Sequence, residues 1–177
     1  SMGNRVMVGT SIENQDAANE RIPEILKMPK WITKFLSMEP LLGPVNSYVT
    51  STLEGFDVVT DYLRGTISID GQAHVPCNKV NWVIVGGESG THARPMHPDW
   101  VRSIRNECVD VGTPFLFKQW GAWLPYYVRC SDKYPQNMGS SDHAVLEGSL
   151  FTKVGKHNSG RLLDGQEWNQ FPQQARS

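Results

Sequence analysis

"NWVIVGGESGTHARPMHPDW", residues 81–100, decides how the rest of the chain is read. The run Trp82–Val85 is apolar and too short for a helix, and it stops at Gly86 and Gly87, which reads as a fully buried strand. Glu88, Ser89 and Arg94 follow it, and then "HPDWVRSIRNECVDVG" (97–112) carries the marks of a helix. Pro98 suits the first position, Trp100, Val101, Ile104, Cys108 and Val109 form one stripe, and Gly112 suits the stop. A buried strand, a polar turn and an amphipathic helix make one unit of a parallel sheet with right-handed crossovers.

The same alternation extends outward. "RVMVGTSIEN" (5–14) reads as a short strand, and "DAANERIPEILKM" places Ala17, Ala18, Ile22, Ile25 and Leu26 at helical spacing, with Pro23 expected to split it into two short turns of helix. "TKFLSMEP" (33–40) is a second strand stopped by Pro40, and "TPFLFKQWG" (113–121) is a further one after the helix. Two regions break the pattern. Residues 41–79 suggest turns, a helix near "STLEGFDVV" and a hairpin "RGTISIDGQAHV" built on Asp70-Gly71. From Ala122 onward Gly, Ser, Asn and aromatic residues recur without period, so an irregular wrap is expected.

A chain of 177 residues suffices for one domain, 1–177, and is short for two. A formal net charge of -1 offers no pull towards nucleic acid or an anionic membrane. No apolar run reaches membrane-spanning length and the start has no signal-peptide character, so a cytoplasmic protein is expected; Ser1 reads as a tag remnant. Cys77, Cys108 and Cys130 match neither a CxxC pair nor an even disulfide framework and read as reduced thiols. His92 and His97 are scattered, so no metal site is expected.

In parallel α/β folds ligands gather at the carboxyl ends of the strands, where loops vary over a rigid sheet. Those ends carry Thr10, Ser11, Glu13 and Asn14; Ser37 and Glu39; Gly86, Gly87, Glu88 and Ser89; and Lys118, Gln119 and Trp120. Paired glycines let another backbone or a ligand come close, and a carboxylate behind them can accept hydrogen bonds from an amine or a ribose, so a nucleoside or amino-acid pocket is expected here. The candidate ligand set is Ser11, Glu13, Glu39, Gly86, Gly87, Glu88, Ser89, Arg94, Lys118 and Trp120. Ligand contact is favoured for Glu88; for Glu13 and Glu39 contact and structural pairing stand level. Lys118 is read as the ion-pair partner of nearby carboxylates, Arg94 as an anion ligand or the anchor of its own loop, and Trp120 and Trp123 as base-stacking or packing residues. His97 is read as a helix cap rather than an acid or base.

"VGTSIENQ", "ERIPEIL", "KFLSMEPLLGPV", "NWVIVGGESG", "ARPMHPDWVRSIRNEC", "PFLFKQWGAW" and "GRLLDGQEWNQFP", in this order, resemble a phage-associated, radical-SAM-like family of unknown function. The resemblance implies a partial (β/α) barrel of about four parallel strands over 3–121, with an inserted hairpin near 54–78 and an irregular C-terminal wrap over 122–177. For full-length relatives it implies S-adenosylmethionine and an iron-sulfur cluster on an upstream three-cysteine motif. That motif is absent here, so the resemblance implies a carboxy-terminal half that lacks a cluster and is inactive as this chain. A barrel opened in this way exposes its first strand, "VMVGTSI", and burial by a second copy or by the tail is the expected remedy. Two other readings stay open: a non-enzymatic binding or interaction module, and a nucleic-acid-binding accessory protein drawing on Arg94, Arg102, Arg105 and Lys118.

Overall fold

A computed structural model of the chain describes residues 6–129 and 142–172. Along the chain run β1 (Met7–Ser11), α1 (Gln15–Leu26), β2 (Thr33–Met38), β3 (Tyr48–Leu53), β4 (Phe56–Asp61), β5 (Thr66–Ile69), β6 (Gln72–Pro76), β7 (Trp82–Gly86) and α2 (Pro98–Val111). After these come β8 (Phe115–Gln119), β9 (Trp123–Pro125), α3 (Tyr126–Arg129), β10 (His143–Leu146), β11 (Ser149–Lys153), α4 (Lys156–Ser159), β12 (Leu162–Leu163) and β13 (Gln166–Glu167). Among the described residues no helix is long and apolar enough to cross a membrane.

The expected strands form one four-stranded parallel sheet in the order β1-β2-β7-β8. One face is the core: Leu36, Met38, Val83, Val85, Phe115 and Phe117 are all fully buried beneath the helices. The other face, carrying Phe35, Ser37, Trp82, Ile84 and Leu116, is only half-buried. Here Phe35 meets Trp82 at 5.8 Å between ring centroids, and Trp82 meets Phe171 of the tail at 5.2 Å. A Cβ on Gly9 would sit 2.2 Å from the Phe35 ring, so the glycine is what lets that ring lie across β1.

The helices form where their patterns place them. Asn14 is extended and its side chain accepts from the Ala17 amide at 3.0 Å, capping α1. The expected break at Pro23 does not occur: α1 is one helix, because Ala18, Ile22, Ile25 and Leu26 on both sides of the proline are buried, and that packing outweighs one lost hydrogen bond. For α2, His97 is the N-cap, accepting from the Asp99 amide, and Gly112 closes the helix at φ 72. Val109 falls off the expected stripe and is 51% exposed.

The parallel sheet is open and does not close on itself. Three expectations need correction. The insert is a four-stranded antiparallel meander, β3-β4-β5-β6, and not a single hairpin; the hairpin on Asp70-Gly71 is its second half. The helix expected near "STLEGFDVV" is instead the β3–β4 hairpin, whose turn residues Glu54 and Gly55 both have positive φ, 51 and 88. Glu-Gly carries that turn without the usual Asn-Gly or Asp-Gly signature. The tail, finally, is not irregular: β9, β10 and β11 form an antiparallel sheet, and β12 and β13 a two-stranded ribbon. Its strands are two to five residues long, too short for a period to show.

Among the described residues, no strand of the tail pairs with β1. The tail lies along the opposite edge, where the Phe117 amide donates to Trp168 O at 3.0 Å and the Gln170 amide to Phe115 O at 3.1 Å. Among the described residues β1 has β2 as its one strand neighbour, and Met7 is 45% exposed.

Candidate functional site

Parallel pairing in this register brings the ends of β1, β2, β7 and β8 to one edge of the sheet. The centre of that edge is Glu39. Its Oε2 accepts from Lys118 Nζ at 2.8 Å and its Oε1 from Gln119 Nε2 at 3.0 Å. Gln119 Nε2 also reaches towards Ser89 Oγ, at 3.5 Å. The ends of β2 and β8 are thus tied through one carboxylate, and Gln119 links them to the loop after β7.

The other two carboxylates turn away from this centre. Glu13 accepts from Arg21 of α1 at 2.9 Å, and the same guanidinium donates to Ser11 O at 2.8 Å. Glu88 accepts from the Arg94 amide at 2.7 Å and from its guanidinium at 2.9 and 2.8 Å, a bidentate clasp that closes its own loop. The guanidinium, through its hydrogen bonds, holds the Glu88 carboxyl below the usual carboxylate range.

The paired glycines serve the backbone. A Cβ on Gly87 would lie 1.9 Å from Trp120 O, so the β7 loop packs directly against the chain leaving β8, and the Ala122 amide donates back to Glu88 O at 2.7 Å. A Cβ on Gly86 would stand 3.0 Å from Glu39 Cδ, the space that side chain uses to reach Lys118. Trp120 is buried, packs edge-on against Phe117 and donates from Nε1 to Leu162 O at 3.0 Å, which makes it a core residue with no face for a ligand.

Beside Glu39 and Lys118 a cavity of about 670 Å³ opens on the half-buried face of the sheet. Ile84, Leu116 and Phe171 supply its apolar surface, and Ser37, Glu39, Lys118, Arg161 and Asn169 its polar groups. Arg161, Asn169 and Phe171 come from the tail and are absent from the sequence-derived set. Arg161 Nε is buried with no hydrogen-bond partner, the Glu167 carboxylate lying 3.7 Å away. The signal was present in "GRLLDGQEWNQFP", but nothing local in it marks the strand edge on which it docks.

A second constellation has the outline of a nucleophilic triad and fails on protonation. His97 Nε2 lies 2.8 Å from Ser149 Oγ, and Nδ1 lies 3.9 Å from Asp99 Oδ2. Nδ1 already accepts the Asp99 amide, so in the neutral ring Nε2 carries the hydrogen and donates to the serine, whereas a general base must accept there. His97 is the helix cap that its position suggested.

The two described thiols show no catalytic setting. Burial pushes the Cys108 thiol up to about 12, Cys77 is half-buried, and Cys130 lies outside the described residues. Among the described residues no group of three His, Cys, Asp or Glu side chains converges to hold a metal.

The family model for DUF5131, proteins of unknown function, matches residues 2–172. The chain belongs to this family. No curated protein and no solved structure matches it.

Proposed function

We propose that this DUF5131 chain forms one wall of a small-molecule site on the open half of a radical-SAM-like (β/α) barrel, and that it binds without catalysing. Support for the barrel relation lies in strand order: four parallel strands follow one another across the sheet in chain order, which is how such barrels are built. The phage association rests on the resemblance of sequence blocks. One observation carries the binding reading, namely the cleft in which Glu39 and Lys118 from two strand ends face Arg161 and Asn169 from the tail over an apolar surface. Carboxylate, ammonium, guanidinium and amide around one space suit a zwitterionic amino-acid group or a nucleoside bearing one.

S-adenosylmethionine has both parts and is the first compound to try. No iron-sulfur cluster is assigned to this chain in the proposal, since the spacing of Cys77, Cys108 and Cys130 is not that of the three-cysteine motif. Binding and orientation are therefore all the proposed site performs.

The test is a thermal-shift titration with S-adenosylmethionine, adenosine and methionine. A ligand that binds the native state alone stabilises it by about 2.7 kcal/mol at a hundredfold excess over Kd. A saturable rise in Tm that vanishes in Lys118→Met supports the site, and no response to any of the three counts against it.

A second reading, a non-enzymatic interaction module, is favoured by internal pairing: Glu13 with Arg21, Glu39 with Lys118 and Glu88 with Arg94. Nucleic-acid binding draws less support, since Arg94, Arg102, Arg105 and Lys118 are each already held by a carboxylate.

A further inference from the structure

We propose that Arg161 is the carboxylate anchor of the cleft beside Glu39 and Lys118, and that the cleft takes a free α-amino acid with an apolar side chain; this rests on the reading of that cleft as a binding site. Arg21, Arg64, Arg94, Arg102 and Arg105 each donate to a carboxylate, at 2.9, 2.8, 2.8, 2.7 and 2.6 Å. Arg161 differs. Among the described residues its guanidinium donates no hydrogen bond, its Nε is buried without a partner, and the Glu167 carboxylate stands off at 3.7 Å. Glu167 is itself engaged, accepting from Asn169 Nδ2 at 2.8 Å. A buried N–H given no acceptor destabilises a fold, and a ligand that supplies one removes that cost. The backbone around Arg161 is nevertheless fixed on both sides by the buried Trp120, whose amide donates to Gly160 O at 3.4 Å and whose Nε1 donates to Leu162 O at 3.0 Å. An arginine held in place with its fork unfilled is preorganised for a planar anion.

Charge selects a carboxylate over a phosphate. Of the two cations in the lining, Lys118 is paired with Glu39 at 2.8 Å, which leaves Arg161 to hold an anion. A second negative charge on that anion would be repelled by Glu39 in the lining and by Glu167 beside the guanidinium. The rest of the cleft suits the other two parts of an amino acid. Ile84, Leu116 and Phe171 offer an apolar wall for the side chain, extended by the Trp82 ring 5.2 Å from that of Phe171. Glu39 and the Ser37 hydroxyl offer acceptors for the ammonium. A plain nucleoside has no carboxylate for Arg161 to hold.

Isothermal titration calorimetry with leucine, methionine and phenylalanine, with their carboxamides and with adenosine tests the assignment. At least one free acid is expected to bind the wild-type chain, and its carboxamide to bind roughly ten- to a hundredfold more weakly, as loss of a hydrogen bond between charged groups does. Arg161→Gln should bind acid and carboxamide alike. The wild-type comparison needs no variant, so it decides even where Arg161→Gln fails to fold. A carboxamide as tight as its acid, the same preference kept in Arg161→Gln, or binding of adenosine and of none of the amino acids would overturn the assignment and leave the cleft reading standing. Silence from every compound would overturn both.

Discussion

Glu39 and Lys118 stand 79 positions apart in the chain and meet at 2.8 Å, because β2 and β8 flank β7 in one parallel sheet. Their contact spans the strand that separates them. The glutamate side chain passes over Gly86, the last residue of β7, where any larger residue would crowd it.

Removing either partner of that pair should change binding far more than stability. The lysine side chain is 52% exposed, so the ion pair contributes about 1 kcal/mol at most. Glu39→Gln keeps the shape and an acceptor for Gln119. Urea denaturation is expected to show a loss of about 1 kcal/mol or less, while the ligand-induced rise in Tm disappears.

Gly87→Ala should be costly for a single methyl. The added carbon would lie 1.9 Å from a backbone oxygen, which no rotamer change can relieve. Overpacking of that kind costs about 1–3 kcal/mol or more, read as a fall in the denaturation midpoint with an unchanged slope. A full-stability Gly87→Ala variant would contradict the close packing of this loop on the residues after β8.

Acid should loosen the loop and the tail together. Arg94 depresses the Glu88 carboxyl, and Arg102, with Arg105, depresses Asp164 in the turn between β12 and β13. With folded pKa values below the unfolded ones, the unfolded chain binds more protons in that range. Stability is then fully present above the ordinary carboxylate range and is lost as pH falls through the folded values. Asp164→Asn should lower stability at neutral pH and flatten the acid limb of the stability curve, as chemical denaturation at several pH values would record.

Cys108 should resist alkylation in the native state. It is fully buried in α2, and burial pushes its thiol up to about 12, leaving almost no thiolate at neutral pH. Iodoacetamide followed by peptide mass spectrometry should label Cys77, which is half-buried, before Cys108. Equal labelling of the two without denaturant would place Cys108 outside the core.

What could be read in advance was whatever a short window encodes. Trp82–Val85 announces a strand by composition, Pro98 and Gly112 bracket a helix, and alternation of the two types implies parallel pairing; these stand in the structure, although Trp82 and Ile84 are half-buried and the strand is not buried on both faces. Even the polar character of the strand ends was visible residue by residue. Which cation each carboxylate takes was not, because Glu13, Glu39 and Glu88 look alike along the chain, and their partners are chosen by distance in the folded sheet: a helix neighbour for the first, a strand across the sheet for the second, its own loop for the third. The same holds for Arg161 and Asn169. They join the cleft only because residues 168–170 dock on the free edge of β8, and backbone hydrogen bonds of that kind leave no trace in side-chain pattern.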